Sequence, residues 1–96
     1  DRLPWVKTPT GDNYDSLKLL NWQIHVYGKA FTGFKNAFAK IPVYEFEWNS
    51  NMHKMGFLQH AAYLIRPDGH VAFAAEKQDW SLVKSYLDSI GYKQKG

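Results

Sequence analysis

Four histidines, His25, His53, His60 and His70, are the side chains of this chain best suited to metal binding or proton transfer. A metal site built from local structure needs ligands two apart on a strand or four apart on a helix, and no pair of these four has either spacing. They therefore read as structural, His25 as a partly buried strand residue and His70 as the residue that follows a turn. A metal or acid–base site drawn from His25, His60 and glutamates needs convergence in space that the sequence does not supply. Gly28 and Gly33 match neither the dinucleotide fingerprint nor the phosphate P-loop, and read as glycines at a strand end and a helix start. Arg66 beside Asp68 is explained by the turn that contains them. By residue type and spacing the chain offers no catalytic, cofactor-binding or metal-binding residue.

Cysteine is absent. Disulfides, thiolate chemistry and zinc ribbons are thereby excluded, and the composition fits an intracellular, cytoplasmic protein. A net charge of +3 with scattered Lys and Arg leaves no basic groove for nucleic acid. No apolar run approaches the ~18 residues of a membrane helix. Aromatic residues make up 17% of the chain, a large share that gives a 96-residue domain bulky core side chains, each burying about 150–250 Å². An aromatic residue left exposed reads as part of a protein interface.

The elements that would position these residues are legible to different degrees. Residues 1–21 read as an irregular lead-in, punctuated by Pro4, Pro9, Gly11, Asp12 and Asn13, with a helical turn or two from Tyr14 to Leu20. Leu3, Trp5 and Val6 need a surface to lie against, on this domain's own core or on a neighbour. A domain over residues 22–96 follows. Trp22 to Tyr27 alternates as a strand, with Trp22, Ile24 and Val26 on one face and Gln23, His25 and Tyr27 on the other. A helix is predicted from about Phe31 to Lys40, capped by Thr32, with Phe34, Ala37, Phe38 and Ile41 as its apolar stripe and Pro42 as its stop. Val43 to Trp48 predicts an edge strand with Tyr44, Phe46 and Trp48 inward and Glu45 and Glu47 in water. Asn49 to Gln59 predicts a short or distorted helix.

The clearest unit is Ala62 to Ala75. Two apolar runs flank Pro67-Asp68-Gly69, which predicts a β-hairpin with a type I turn and a glycine bulge. A last helix from about Asp79 to Ile90 has Leu82, Val83, Tyr86, Leu87 and Ile90 at helical spacing, Asp79 as N-cap and Gly91 just beyond its end. The predicted order is β-α-β-α-β-β-α, an α/β chain with a four-stranded mixed sheet. Its first two strands are parallel, through a right-handed crossover, and the hairpin is antiparallel. That is the thioredoxin-like order. A thioredoxin-like oxidoreductase would hold its thiol at Gly28-Lys29-Ala30-Phe31, and here that position has no sulfur. The proline usual before the hairpin strand is replaced by Gln59-His60-Ala61.

Three segments together carry a more specific resemblance: Arg2-Leu3-Pro4-Trp5-Val6; Gly11-Asp12-Asn13-Tyr14-Asp15-Ser16-Leu17 leading into Trp22-Gln23-Ile24-His25-Val26-Tyr27-Gly28; and Leu64-Ile65-Arg66-Pro67-Asp68-Gly69-His70-Val71-Ala72. Over essentially its whole length the chain resembles the C-terminal thioredoxin-like domain of FAD-dependent aromatic-ring hydroxylases, the phenol-hydroxylase-like flavoprotein monooxygenases. The resemblance implies that FAD, NAD(P)H and the hydroxylation belong to upstream domains of one polypeptide, and that none of the family's catalytic residues lies here. It implies a redox-inactive appendage that packs on the upstream FAD and substrate domains and can contribute to a homodimer. The first residue, Asp1 rather than Met, leads to the same expectation of a longer parent. The alternative is a free-standing protein-interaction module with a redox-dead thioredoxin-like fold.

Overall fold

In the computed structural model, residues 2–9, 11–19, 21–30 and 41–91 are described. Two very short strands, β1 (Lys7–Thr8) and β2 (Gly11–Asp12), pair antiparallel and lead into a 3-10 helix over Asp15–Leu19. Then come β3 (Gln23–Tyr27), β4 (Val43–Phe46), α1 (Ser50–Lys54), β5 (Ala62–Ile65), β6 (Val71–Ala75) and α2 (Trp80–Ser89). The main sheet is four-stranded and mixed, in the order β4-β3-β5-β6. β3 and β4 are parallel, with Ile24 opposite Val43 and Tyr27 opposite Phe46, while β5 is antiparallel to both β3 and β6.

Both faces of the sheet are covered, which is why every residue of the central strand β3 is buried. On one face Ile24, Val26, Ala62, Leu64 and Ala75 pack with Val83 and Leu87 of α2. On the other, Tyr27 and Ile65 pack with Met52 of α1, Phe57, and Leu3 and Val6 of the lead-in. The period-2 alternation of Trp22 to Tyr27 thus sorts its residues as expected, Trp22, Ile24 and Val26 into the first cluster and Tyr27 into the second. Tyr27 stacks on Phe57 at 4.0 Å between ring centroids and on Phe46 at 5.2 Å.

The hairpin turn forms as its residues dictate. Gly69 N–H donates to the Arg66 carbonyl at 2.9 Å, Gly69 takes φ +85, and Arg66 N–H returns to the His70 carbonyl at 2.9 Å. Arg66 and Asp68 bond each other across the exposed turn. α2 is capped by Asp79, whose carboxylate accepts the Ser81 N–H at 3.1 Å, and Gly91 beyond it takes φ +79. β4 lies at the sheet edge, as its alternation predicts, with Phe46 and Trp48 half-buried against the second cluster and Glu45 and Glu47 exposed.

Four expectations change. The lead-in carries the helical turn expected from Tyr14 to Leu20, as the 3-10 helix, but ahead of it forms the β1–β2 ribbon in place of irregular chain, so the element order departs from β-α-β-α-β-β-α. The reason is Asn13, which receives Val6 N–H across the ribbon and ties it to Tyr27 of β3. His25 is completely rather than partly buried, because this lead-in lies over its face of the sheet. The stripe of α2 is narrower than its periodicity suggests. Val83 and Leu87 are buried, but Leu82 and Ile90 are exposed, because one helix meets a sheet along a single line of side chains. Of the lead-in apolar residues, Leu3 and Val6 enter the core while Trp5 stays half in solvent. The helix expected from Phe31 to Lys40, with Thr32 and Gly33, falls outside the described residues. Among the described residues, no helix is long and apolar enough to cross a membrane.

Candidate functional site

The thioredoxin-like expectation directs attention to the end of β3. Gly28 closes the strand at φ +134, with its N–H on the Phe46 carbonyl at 2.8 Å. Lys29 N–H donates to His60 Nδ1 at 3.0 Å, and Ala30 N–H to a Glu45 carboxylate oxygen at 2.9 Å. Gln78 Nε2 donates to both the Lys29 and His60 carbonyls at 2.8 Å. Three loops, those after β3, before β5 and before α2, are therefore laced together here. The packing is tight: a Cβ on Gly28 would lie 2.5 Å from His60 Nδ1. His60 itself holds φ 66, and Gln78 φ 52. Both are costly conformations for non-glycine residues and persist only where contacts enforce them.

With Nδ1 accepting, the neutral His60 ring carries its proton on Nε2. The backbone N–H groups of Lys29 and Ala30 are committed to an imidazole and a carboxylate. The sequence marks His60 as standing where a proline is usual, but its tie to Lys29 spans 31 residues and has no local signal. Gln78 gives no sequence signal at all.

A second cluster of polar groups lies beneath the lead-in. Asn13, Gln23, His25 and Tyr27 are all at most 1% exposed. Asn13 Nδ2 donates to Tyr27 Oη at 3.0 Å and to the Pro4 carbonyl at 2.8 Å, while its Oδ1 accepts Val6 N–H at 2.8 Å. Tyr27 Oη lies 2.9 Å from His25 Nδ1, and His25 Nε2 lies 2.8 Å from Gln23 Oε1. Only one arrangement of protons satisfies the whole set. Tyr27 O–H donates to Nδ1, and the Nε2–H donates to Gln23, whose Nε2 in turn donates to the Ser16 carbonyl at 3.0 Å and to Asn21 Oδ1 at 3.2 Å. The chain of donors runs one way, from Asn13 to Gln23.

Burial holds His25 neutral, its pKa lowered to about 3. Burial likewise pushes the Tyr27 phenol well above its ordinary value. Neither can act as an acid or base on a solvent-borne substrate, since neither reaches solvent. The period-2 placement of Gln23, His25 and Tyr27 on one face is legible in the sequence. The partners Asn13 and Ser16 are not, because a turn-rich segment carries no sign that it folds inward.

The histidines do not converge. His25 is in the buried network, His60 at the end of β3, His53 on exposed α1 and His70 beside Asp68 in the turn. Among the described residues, no group of three His, Asp or Glu side chains could hold a metal ion. An apolar groove of about 420 Å³ lies beside the exposed Trp5.

No protein-family model matches the chain. No curated protein matches it either.

Proposed function

We propose that this chain is a non-catalytic docking domain with a thioredoxin-like core, forming the C-terminal part of an FAD-dependent aromatic hydroxylase. The observation that carries the reading is that the three resemblance segments make each other's hydrogen bonds. Leu3 N–H donates to the Gly69 carbonyl at 3.1 Å, Arg2 bridges to His70, and Asn13 bonds Tyr27. The three segments thus form one physical unit, which supports reading them together. Strand order and direction support the thioredoxin-like core, with a parallel central pair followed by an antiparallel hairpin. The committed N–H groups after β3 support the redox-inactive assignment.

The function left to the chain is contact. In this reading the lead-in is both a layer of the domain and its junction with the FAD and substrate domains, and it can also support a homodimer. The test is the mass and visible absorption of the gene product purified from its source. A chain several times longer with bound flavin is expected, and deleting residues 1–96 from it should lower its stability or change its oligomeric state. Unchanged activity, stability and assembly after that deletion would refute docking. A colourless product of about this length would replace the hydroxylase assignment by the free-standing interaction module.

A further inference from the structure

The groove at Trp5 has a defined build. One side comes from Trp5, the buried Val6 and Lys7 of the lead-in, and the other from Asn51, Lys54 and Met55 at α1. The walls are tied together below, because Asn49 Nδ2 donates to the Lys7 carbonyl at 3.1 Å while Asn49 Oδ1 caps α1 through Met52 N–H at 3.1 Å. The groove is thus preformed rather than closed by loose loops. Trp5 is 51% exposed and Met55 47%. Tryptophan is enriched among the residues that carry interface binding energy, and methionine suits adaptable binding surfaces.

The charges decide what fits. Among the described residues, the ionisable groups lining the groove are two lysines, Lys7 and Lys54, and both are exposed. An apolar partner alone would leave these two ammonium groups unused at the rim, and a basic partner would be repelled. We propose that the groove receives a short acidic–apolar segment of the domains on which this chain docks, an apolar side chain entering between Trp5 and Met55 and carboxylates facing Lys7 and Lys54. The inference rests on the docking reading and names its surface and the chemistry of its partner.

The test uses the 96-residue chain and two synthetic dodecapeptides. One carries Leu and Phe between Glu residues; its twin carries Lys in place of Glu. Amide and indole N–H resonances are followed by NMR during titration. The acidic peptide is expected to shift Trp5, Lys7, Asn51 and Met55, and to bind about tenfold more tightly than its twin at low salt. Its advantage should shrink as salt rises. Lys7→Gln and Lys54→Gln are each expected to weaken it about 2–5-fold, the range of an exposed ion pair. Both lysines are exposed, so retained amide dispersion checks that the fold survives. Equal affinity for both peptides, or shifts confined to another face, would overturn the proposal. So would shifts of the same resonances on raising protein concentration alone, which would give the groove to a second copy. These outcomes concern the groove only, whereas the deletion from the parent reads the docking function separately.

Discussion

Keeping His25 neutral sets a pH dependence that can be worked out at the level of one residue. The unfolded imidazole binds a proton near its ordinary pKa of 6.5, while the folded ring stays neutral down to about 3. Between those values the unfolded state holds more protons, so stability rises with pH through the window and is lost as pH falls. The slope is about 1.4 kcal/mol per pH unit for this one group. Urea unfolding followed from pH 7 to pH 4 should show it, and His25→Gln, which keeps a donor and an acceptor but cannot titrate, should flatten it. A slope unchanged in His25→Gln would place the acid sensitivity elsewhere. Gly28 offers a second test at this scale. Its φ of +134 and the 2.5 Å approach to His60 Nδ1 leave no place for a methyl group. Gly28→Ala should cost about 1–3 kcal/mol of unfolding free energy, and a thermal midpoint within error of the parent would show that the His60 loop yields freely.

At the scale of elements, local chemistry was readable and distant chemistry was not. The hairpin follows from Pro67, Asp68 and Gly69 because a turn is decided by its own four or five residues. β3 follows from alternation, and α2 from periodicity and the Asp79 cap, though only contact with the sheet could show that Leu82 and Ile90 face away. The β1–β2 ribbon was not readable. Two-residue strands have no propensity of their own, and what holds these is Asn13, whose partners lie 7, 9 and 14 residues away. The loop junction at Lys29, His60 and Gln78 escapes for the same reason. α1, at five residues, is too short to persist by propensity and depends on its cap. Asn49→Ala should therefore cost about 0.5–2 kcal/mol in chemical denaturation, toward the upper end because it also releases the Lys7 carbonyl. Amide exchange should quicken across both α1 and β1. Quickening in α1 alone would mean that the Asn49–Lys7 bond holds nothing.

At the scale of the whole molecule, the lead-in helps to cover one face of the sheet. Leu3 and Val6 are each 1% exposed, and burying such side chains contributes about 1.5–3 kcal/mol apiece. Removing the segment would also take from Tyr27 and Gln23 their bonds to Asn13 and Ser16, at about 1–3 kcal/mol for each polar group that stays buried. A domain of this size has roughly 5–15 kcal/mol in total. A chain shortened to residues 22–96 is therefore expected to lose its cooperative melting transition, measured by calorimetry. A sharp transition near that of the full chain would mean that the second core cluster can close without Leu3 and Val6.

The one-way chain of donors from Asn13 to Gln23 also gives this molecule a clock. Hydroxyl and imidazole protons normally trade places with water far too fast to follow. Those of Tyr27 and His25 are walled off, and water can reach them only when the lead-in lifts from the sheet. Transferred to heavy water, the protein should keep both signals for as long as that segment stays down. Their rate of disappearance counts how often the N-terminal layer comes away.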